Sequence, residues 1–424
     1  MNILIICTWF PPDTAIAAKR PYMFAKYLRK YGHNVTVIRS GEINKTINSE
    51  FDWNSLDGVN VISYLDNANK CSPSISRRKK LSSWYLLKAV YIYHKLYEPI
   101  RVYKAWRRCK SHCSKINAVI DKLVGNDFDL VFSTYGELPN VYSGAYAKKV
   151  LKCKWILDFR DRIFQPSNQS WIWNVAFSHV EKKYIDMADA VTSVSEDLFF
   201  DCDIQKRHTL YNGYEIPLQD NKSDGMDSRG AFSICFTGQI YGFYKKSIKL
   251  LFSVVRELVL SGDIDIKNFR FIYAGPNSSL LFEIAKEYNL TDVIDDRGYL
   301  LPNEIIKLQQ SSDIFLVLSI NTNKMRGVIS GKFYEGISVG KPILSIVSGN
   351  EPNSELYRIN QRYSYGECIE LCKGEEAKYD LRSFIQKMYI AKLENRNLSR
   401  STIDDFSYAV ISRKLENICK KLTC

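Results

Sequence analysis

Residues 327–344 read Gly-Val-Ile-Ser-Gly-Lys-Phe-Tyr-Glu-Gly-Ile-Ser-Val-Gly-Lys-Pro-Ile-Leu. Ser330 is a residue type that opens helices, and a helix starting there places Lys332 and Glu335 on adjacent turns of one face. A helix start offers unpaired N–H groups and the positive end of the helix dipole, which suit a phosphate. Lys332 adds a point charge. Glu335 would repel a phosphate at contact, but a carboxylate accepts from both hydroxyls of a ribose diol. The pair would then hold a nucleoside diphosphate lengthwise. A plain i, i+3 ion pair on a solvated face would use the same two residues.

A second cationic step lies upstream. Phe236-Thr237-Gly238-Gln239 ends an apolar run, and Lys245 and Lys246 follow before the next helix. Gly238 lets a ligand approach the backbone. Cations are mildly disfavoured at a helix start, so the lysines either meet a diphosphate or form a solvated pair. In the first half, Asp158-Phe159-Arg160-Asp161 directly follows an apolar run. Three charges there are expected to line a cleft; the alternative is an Arg160–Asp pair that orders the loop.

Other chemistries find no motif. The chain lacks the Gly-rich lysine loop of nucleoside triphosphatases, a G-x-G-x-x-G after the first strand, and the G-x-S-x-G of serine hydrolases. Cys109-Lys110-Ser111-His112-Cys113 and the Cys368/Cys372 pair do not have a common zinc spacing, and no metal site is expected.

The elements that must position these residues alternate. Short apolar runs at 2–7, 35–39, 130–133, 155–158, 190–194 and 209–211 read as buried strands. A helical pattern over 17–31 stops at Gly32. A polar stretch, 219–230, then breaks the pattern as a linker. After it, strands at 232–237, 269–274, 293–296, 314–318 and 343–347 alternate with helices at 247–261, 280–288 and 302–311. The fold class is therefore α/β, with two Rossmann-like doubly wound domains facing a cleft. Ligands in such folds sit outside the carboxyl ends of the strands.

The chain has 424 residues, 46% of them hydrophobic, with a net charge of +13 and 11 cysteines. This length suits two domains. The apolar content excludes wholesale disorder, and no window is apolar enough to span a membrane. Met1 leads directly into a strand, and the cysteines lack a secreted-scaffold rhythm, so a reduced cytoplasmic protein is expected. Residues 77–115 hold 12 Lys and Arg against one acid, Glu98, interleaved with Trp and Tyr. Such a basic aromatic helix reads as an element for an anionic membrane surface. A helical pair packed on its own domain, or a single-stranded nucleic acid site, are the other readings; the nucleic acid is the one set aside.

In this order and spacing the residues resemble a bacterial family 4 glycosyltransferase of the GT-B type, over nearly the whole chain. The resemblance runs from Phe10-Pro11-Pro12-Asp13 and Lys19-Arg20-Pro21 through Asp158-Phe159-Arg160-Asp161, Tyr211-Asn212-Gly213 and Phe236-Thr237-Gly238. It continues through Tyr273-Ala274-Gly275-Pro276 and Gly298-Tyr299. It ends on its most specific motif, Gly331-Lys332-Phe333-Tyr334-Glu335 with Gly340-Lys341-Pro342.

What the resemblance implies is a retaining transfer from a nucleotide-sugar, expected to be UDP-linked, to a lipid-linked or glycan acceptor in surface polysaccharide (O-antigen or capsule) assembly. No metal or other cofactor is required, and the donor's own phosphate serves as base. Residues 1–218 would hold the acceptor and 219–402 the donor, while 403–424 would form a helix returning to the first domain. Glu335 would take the ribose, Lys245 the diphosphate, Lys332 the departing phosphate, and Gly298 and Tyr299 the base. The candidate catalytic residues are Lys245, Lys332, Asp158, Arg160 and Asp161. The candidate donor-binding residues add Gly238, Gln239, Lys246, Gly275, Ser330 and Gly331. A first loop with Pro12, Asp13, Ala17 and Ala18 would close over the donor phosphates, and the basic insert 77–115 would dock on the inner leaflet.

The sequence differs from the family pattern at four places. Gly327 stands where many members carry a first Glu, Ala17-Ala18 replace a glycine pair, Ser133 to Glu137 lack a histidine, and Gln239 replaces an Arg. A nucleotide-sugar epimerase on the same fold would convert donor without a second substrate. A non-catalytic basic membrane-binding homologue would ignore nucleotide-sugars.

Overall fold

Most of the apolar runs become strands covered on both faces; the run at 209–211 only overlaps the end of a strand at Arg207–Thr209, and neither that strand nor the one at Ile294–Asp296 has a buried residue. The computed structural model describes residues 1–13, 16–40, 58–64, 84–163, 171–201, 203–215 and 230–424. Residues 14–15 of the first loop, 77–83 of the basic insert and most of the expected linker lie outside the described residues.

The first sheet contains β1 (Asn2–Cys7), β2 (Asn34–Arg39), β3 (Val59–Ser63), β4 (Leu130–Tyr135), β5 (Lys154–Phe159), β6 (Ala190–Ser193) and β7 (Arg207–Thr209). Its order is β3-β2-β1-β4-β5-β6-β7, and every pairing is parallel. Helices α1 (Ile16–Lys30), α2 (Trp84–Lys122), α3 (Leu138–Leu151) and α4 (Trp171–Met187) belong to the same half. The second sheet contains β8 (Phe232–Thr237), β9 (Phe269–Ala274), β10 (Ile294–Asp296), β11 (Ile314–Ile320), β12 (Ile343–Ser348) and β13 (Gly366–Glu370). Its order is β10-β9-β8-β11-β12-β13, again all parallel. Helices α5 (Lys245–Leu260), α6 (Ser279–Glu287), α7 (Pro302–Ser311), α8 (Gly331–Ser338), α9 (Glu355–Tyr363) and α10 (Glu375–Leu393) connect it, and α11 (Tyr408–Thr423) ends the chain.

Alternate residues of β1 serve two cores. Ile3 and Ile5 pack with Phe24 and Leu28 of α1 and with Ile411 and Leu415 of α11. Leu4 and Ile6 pack with Ile116 and Ile120 of α2 and Val141 of α3. That double burial, worth about 1.5–3 kcal/mol for each large side chain, is why the run is apolar without interruption. Helix α11 thus completes the first half from the far end of the chain. Ser407 caps it by accepting from the Val410 N–H, and backbone bonds join Tyr214 to Phe406 and Tyr408. In the second half, Ile234, Phe236, Leu316 and Leu318 face α5 and α10, whereas Phe315 and Val317 face α8 and α9.

Two strands have no counterpart among the apolar runs. β3 is an edge strand with three exposed residues, and β13 starts half-buried. Edge strands carry polar residues, so the search for continuous runs passes over them. Strand order reverses beside β1 in one sheet and beside β8 in the other. The crevices at the carboxyl ends of β1/β4 and β8/β11 are the sites this topology makes.

The described part of the basic insert, 84–115, lies in one long helix, not a pair. α2 has 39 residues, a length of ~58 Å. Its end is anchored by Ile116, Ile120 and Leu123 in the core. Ile100, Tyr103 and Trp106 are 45%, 55% and 55% exposed. Tyr103 and Trp106 stack at 6.1 Å, with Lys110 5.4 Å above Trp106. Among the described residues no helix is long and apolar enough to cross a membrane.

Candidate active site

Three strand ends make a floor of backbone. The Gly238 N–H donates to the Ala274 carbonyl at 2.6 Å, and the Gly275 N–H to the Gly298 carbonyl at 2.8 Å. Gly238 has φ +107, and a Cβ on it would come within 2.5 Å of Lys332 Cε and Nζ. The Lys332 side chain therefore lies directly on the Gly238 backbone.

Helix α8 brings that lysine in. Ser330 takes the N-cap position with extended backbone, but its side chain makes no capping bond, and its Oγ is buried without a partner. The helix start thus keeps its first N–H groups open. Lys332 and Glu335 do not pair. Glu335 instead accepts from Gln309 Nε2 at 3.2 Å, and the same amide donates to Thr237 Oγ1 at 3.1 Å. Gln309 is 1% exposed. A buried amide from α7 therefore fixes the carboxylate and leaves Lys332 without a hydrogen bond or ion pair among the described residues, which removes the plain ion-pair reading.

The first half faces this cluster through α1. Burial pushes the Lys19 ammonium below its usual range, and Glu335 is the foremost charge acting against that shift. Lys19 has no hydrogen bond or ion pair among the described residues. The sequence reading quotes Lys19 only within Lys19-Arg20-Pro21, without a role at the site, and passes over Gln309.

Asp158 requires a correction. It is 0% exposed and lies under the cleft, not in it. Arg20 Nη2 meets its Oδ1 at 2.7 Å and Arg20 Nε its Oδ2 at 3.1 Å. Thr134 and Thr192 donate at 2.9 and 2.7 Å. Burial opposes the Asp158 charge, but Arg20 and these bonds hold the carboxyl below its usual range. Arg20 Nη1 also reaches the Tyr211 carbonyl at 2.9 Å. Asp158 is thus the buried anchor of α1, with both carboxylate oxygens taken up by Arg20, Thr134 and Thr192. Arg160 donates from Nη1 to the Ala17 carbonyl at 2.8 Å, and among the described residues it pairs with no acid. Asp161 is exposed beside it.

The remaining candidates divide. Pro12 is exposed, Asp13 and Ala18 are buried, and Ala17 is half-buried under Arg160. Gln239 bonds the Ile240 carbonyl at 3.1 Å. Tyr299 is 66% exposed beside Gly298. Lys245 pairs with Glu283 at 2.7 Å. Lys246 lines a separate cavity with Gly349, Asn350 and Gly374. Neither lysine joins Lys332 on the glycine floor in this conformation.

The two halves touch beside the cleft, and Gly327 is the reason they can. With φ +67, a Cβ there would collide with Ser195 Oγ and come within 2.9 Å of the Leu198 N–H. A glutamate at this position would hold the halves apart. Glu355, at the start of α9, accepts from the Glu196 N–H at 2.7 Å and the Asp197 N–H at 3.3 Å. Arg358 pairs with Asp197 at 2.8 Å. Burial pushes the Glu355 carboxyl up to about 7, although the Glu196 N–H and Tyr211 favour its charge.

Two Rossmann-like sheets facing a cleft define this as an α/β protein of the GT-B fold. The fold is shared with an E. coli trehalose-6-phosphate structure bound with UDP-2-fluoro glucose (TM-score 0.58, 11% identity, 99% of both chains). The apo lipopolysaccharide outer core galactosyltransferase WaaB is similar to a like degree (0.55, 12%, 99% of both chains). So is the UDP-GlcNAc 2-epimerase from Neisseria meningitidis bound to UDP-GlcNAc (0.52, 13%, 99% of this chain and 100% of that one). Neither a protein-family model nor the sequence of a curated protein matches the chain. At these identities the likeness is one of fold.

Proposed function

We propose that this protein is a retaining glycosyltransferase that moves a sugar from a nucleotide-sugar, UDP-linked, to a lipid-linked or glycan acceptor in surface polysaccharide assembly. The observation that carries the reading is Lys332, without a partner among the described residues, lying on the Gly238 backbone, one turn from a Glu335 already oriented by Gln309. The diphosphate would lie over the glycine floor and the start of α8, and Glu335 would accept from the ribose hydroxyls. As the bond from the sugar C1 to the diphosphate breaks, Lys332 and the open N–H groups stabilise the charge that builds. The acceptor oxygen bonds to C1 on the same face, and its proton passes to the departing phosphate oxygen. Lys19 would meet the donor from across the cleft. Lys245 would join by exchanging Glu283 for phosphate, since exposed ion pairs contribute only about 0–1 kcal/mol. The transfer needs no metal. The exposed aromatic and cationic surface of α2 would seat the enzyme on an anionic membrane.

A second reading, nucleotide-sugar epimerisation, draws on the UDP-GlcNAc 2-epimerase of the same fold. One experiment separates the two. UDP-sugars are incubated with and without a membrane extract supplying acceptor, in EDTA, and followed by 31P and 1H NMR. UDP release that requires the extract, with retained anomeric configuration in the product, is the expected result. A new UDP-sugar formed without extract would establish the epimerase.

A further inference from the structure

The carboxyl end of the first sheet holds two guanidinium groups that the protein leaves largely unpaired. Arg39 closes β2 in register with Cys7 of β1. Its Nε and Nη1 are buried and make no hydrogen bond. Arg160 follows β5. Among the described residues its one hydrogen bond goes to the Ala17 carbonyl, its plane lies 5.6 Å over the Trp9 ring, and its Nε is buried without a partner. Its Nη2 lies against Gly136, just past the end of β4. Burial pushes the Cys7 thiol up to about 12 while Arg160 and Arg39 both pull it down. Arg39 stands beside the end of β1, and Arg160 lies over Trp9, just past β1, and against Gly136, just past β4, so both cations sit at the β1/β4 reversal, where open parallel sheets take their ligands.

Among the described residues no acid hydrogen-bonds to Arg39 or Arg160, although Asp158 is the foremost charge acting on Arg160. Asp158 is committed to Arg20. The charges of Asp13 and Asp161 act on Arg39 and Arg160 through space. A buried guanidinium nitrogen that makes no hydrogen bond is costly, so a site that keeps three of them needs an explanation. A ligand bringing its own anionic oxygens supplies one, and the planar fork of Arg suits a phosphate.

We propose that Arg39 and Arg160 form an anion site for a phosphate group carried by the acceptor. The inference rests on the reading of this protein as a transferase with a second substrate. The donor's diphosphate already has its own cation and helix start on the opposite sheet. Arg160 grips Ala17, and Lys19 two residues on faces Glu335, so the anion site opens on the same cleft. The phosphate ester belongs either to a soluble sugar phosphate or to a lipid diphosphate.

The test is calorimetric titration of the full chain and its Arg39→Gln, Arg160→Gln and Glu335→Ala variants with UDP, glucose 1-phosphate and micellar farnesyl diphosphate. At least one phosphate ester should bind, about tenfold or more weakly to each arginine variant, and unchanged to Glu335→Ala. UDP should show the opposite pattern. The ester that binds more tightly names the source. If UDP binds nowhere while an ester keeps this pattern, the donor reading falls and the anion site stands. The arginine variants should also melt no lower than the wild type, because an unpaired buried cation is a burden on the fold; a purely structural arginine would lower the melting temperature. Binding of neither ester, or equal binding to the arginine variants, overturns the inference.

Discussion

Replacing Gly238 by Ala perturbs the proposed donor site in a way the geometry makes calculable. A side chain at φ +107 costs about 1–3 kcal/mol in backbone strain. The new Cβ would also stand 2.5 Å from Lys332 Cε and Nζ, so the ammonium must leave the floor. Losing one charge-assisted hydrogen bond to the diphosphate costs about 1.5–3 kcal/mol, which is about 10- to 150-fold in affinity. Gly262 is the matching control, with φ +77 and nothing within 4 Å of an added Cβ. Gly262→Ala should lower the melting temperature by a similar few degrees and leave UDP affinity unchanged. Titration calorimetry of UDP on both variants reads the difference. A double-mutant cycle with Lys332→Met completes the assay: if Gly238→Ala acts through the lysine, it adds little to Lys332→Met. Equal UDP affinity of Gly238→Ala and Gly262→Ala would refute the reasoning.

Three other outcomes follow from the structure. Asp158→Asn leaves Arg20 buried and uncompensated and should cost about 3–5 kcal/mol in urea unfolding, while the protein that remains folded keeps its UDP affinity; loss of affinity at unchanged stability would return Asp158 to the cleft. Glu355 has its carboxyl raised to about 7, so its contribution to stability is complete below the ordinary glutamate range and lost as pH rises through 7; a shift of this size is on the order of 3 kcal/mol. Glu355→Gln cannot ionise, and the wild type should therefore lose melting temperature relative to it between about pH 5 and pH 8; parallel pH curves would contradict the assignment. Replacing both Tyr103 and Trp106 by Ala, at side chains each 55% exposed, should weaken sedimentation with anionic vesicles at an unchanged melting temperature; undiminished sedimentation would dismiss α2 as the membrane element.

The parts legible in the sequence were those carried by local patterns. Buried parallel strands are continuous apolar runs, so 2–7 and 232–237 coincide with β1 and β8. Ser330 marked the start of α8, because N-cap residue types act within one turn. Long-range pairing left no such mark. Asp158 looked like a cleft residue because its partner, Arg20, lies 138 positions away. Lys332 and Glu335 have the spacing of an ion pair, yet Gln309 of another helix holds the glutamate, and no spacing within α8 records that. Lys19 has no role in the sequence reading, because the charge acting on it, Glu335, lies on the second half. The loss of a glutamate at Gly327 likewise makes sense only once Ser195 and Leu198 are seen against it. Of the basic insert, charge and aromatics were plain in the composition, but a single helix, anchored at one end and bare further along, required the packing of Ile116 and Ile120.

The most direct test of the donor clamp is the thermal stability of the wild type and Glu335→Ala against a panel of nucleoside diphosphates, with and without Mg2+. A ligand at about 100 times its Kd adds about 2.7 kcal/mol. The account predicts that UDP raises the wild-type melting temperature, indifferently to Mg2+, and that Glu335→Ala abolishes the shift. A shift that survives in Glu335→Ala, or the absence of any shift with every diphosphate, would contradict it.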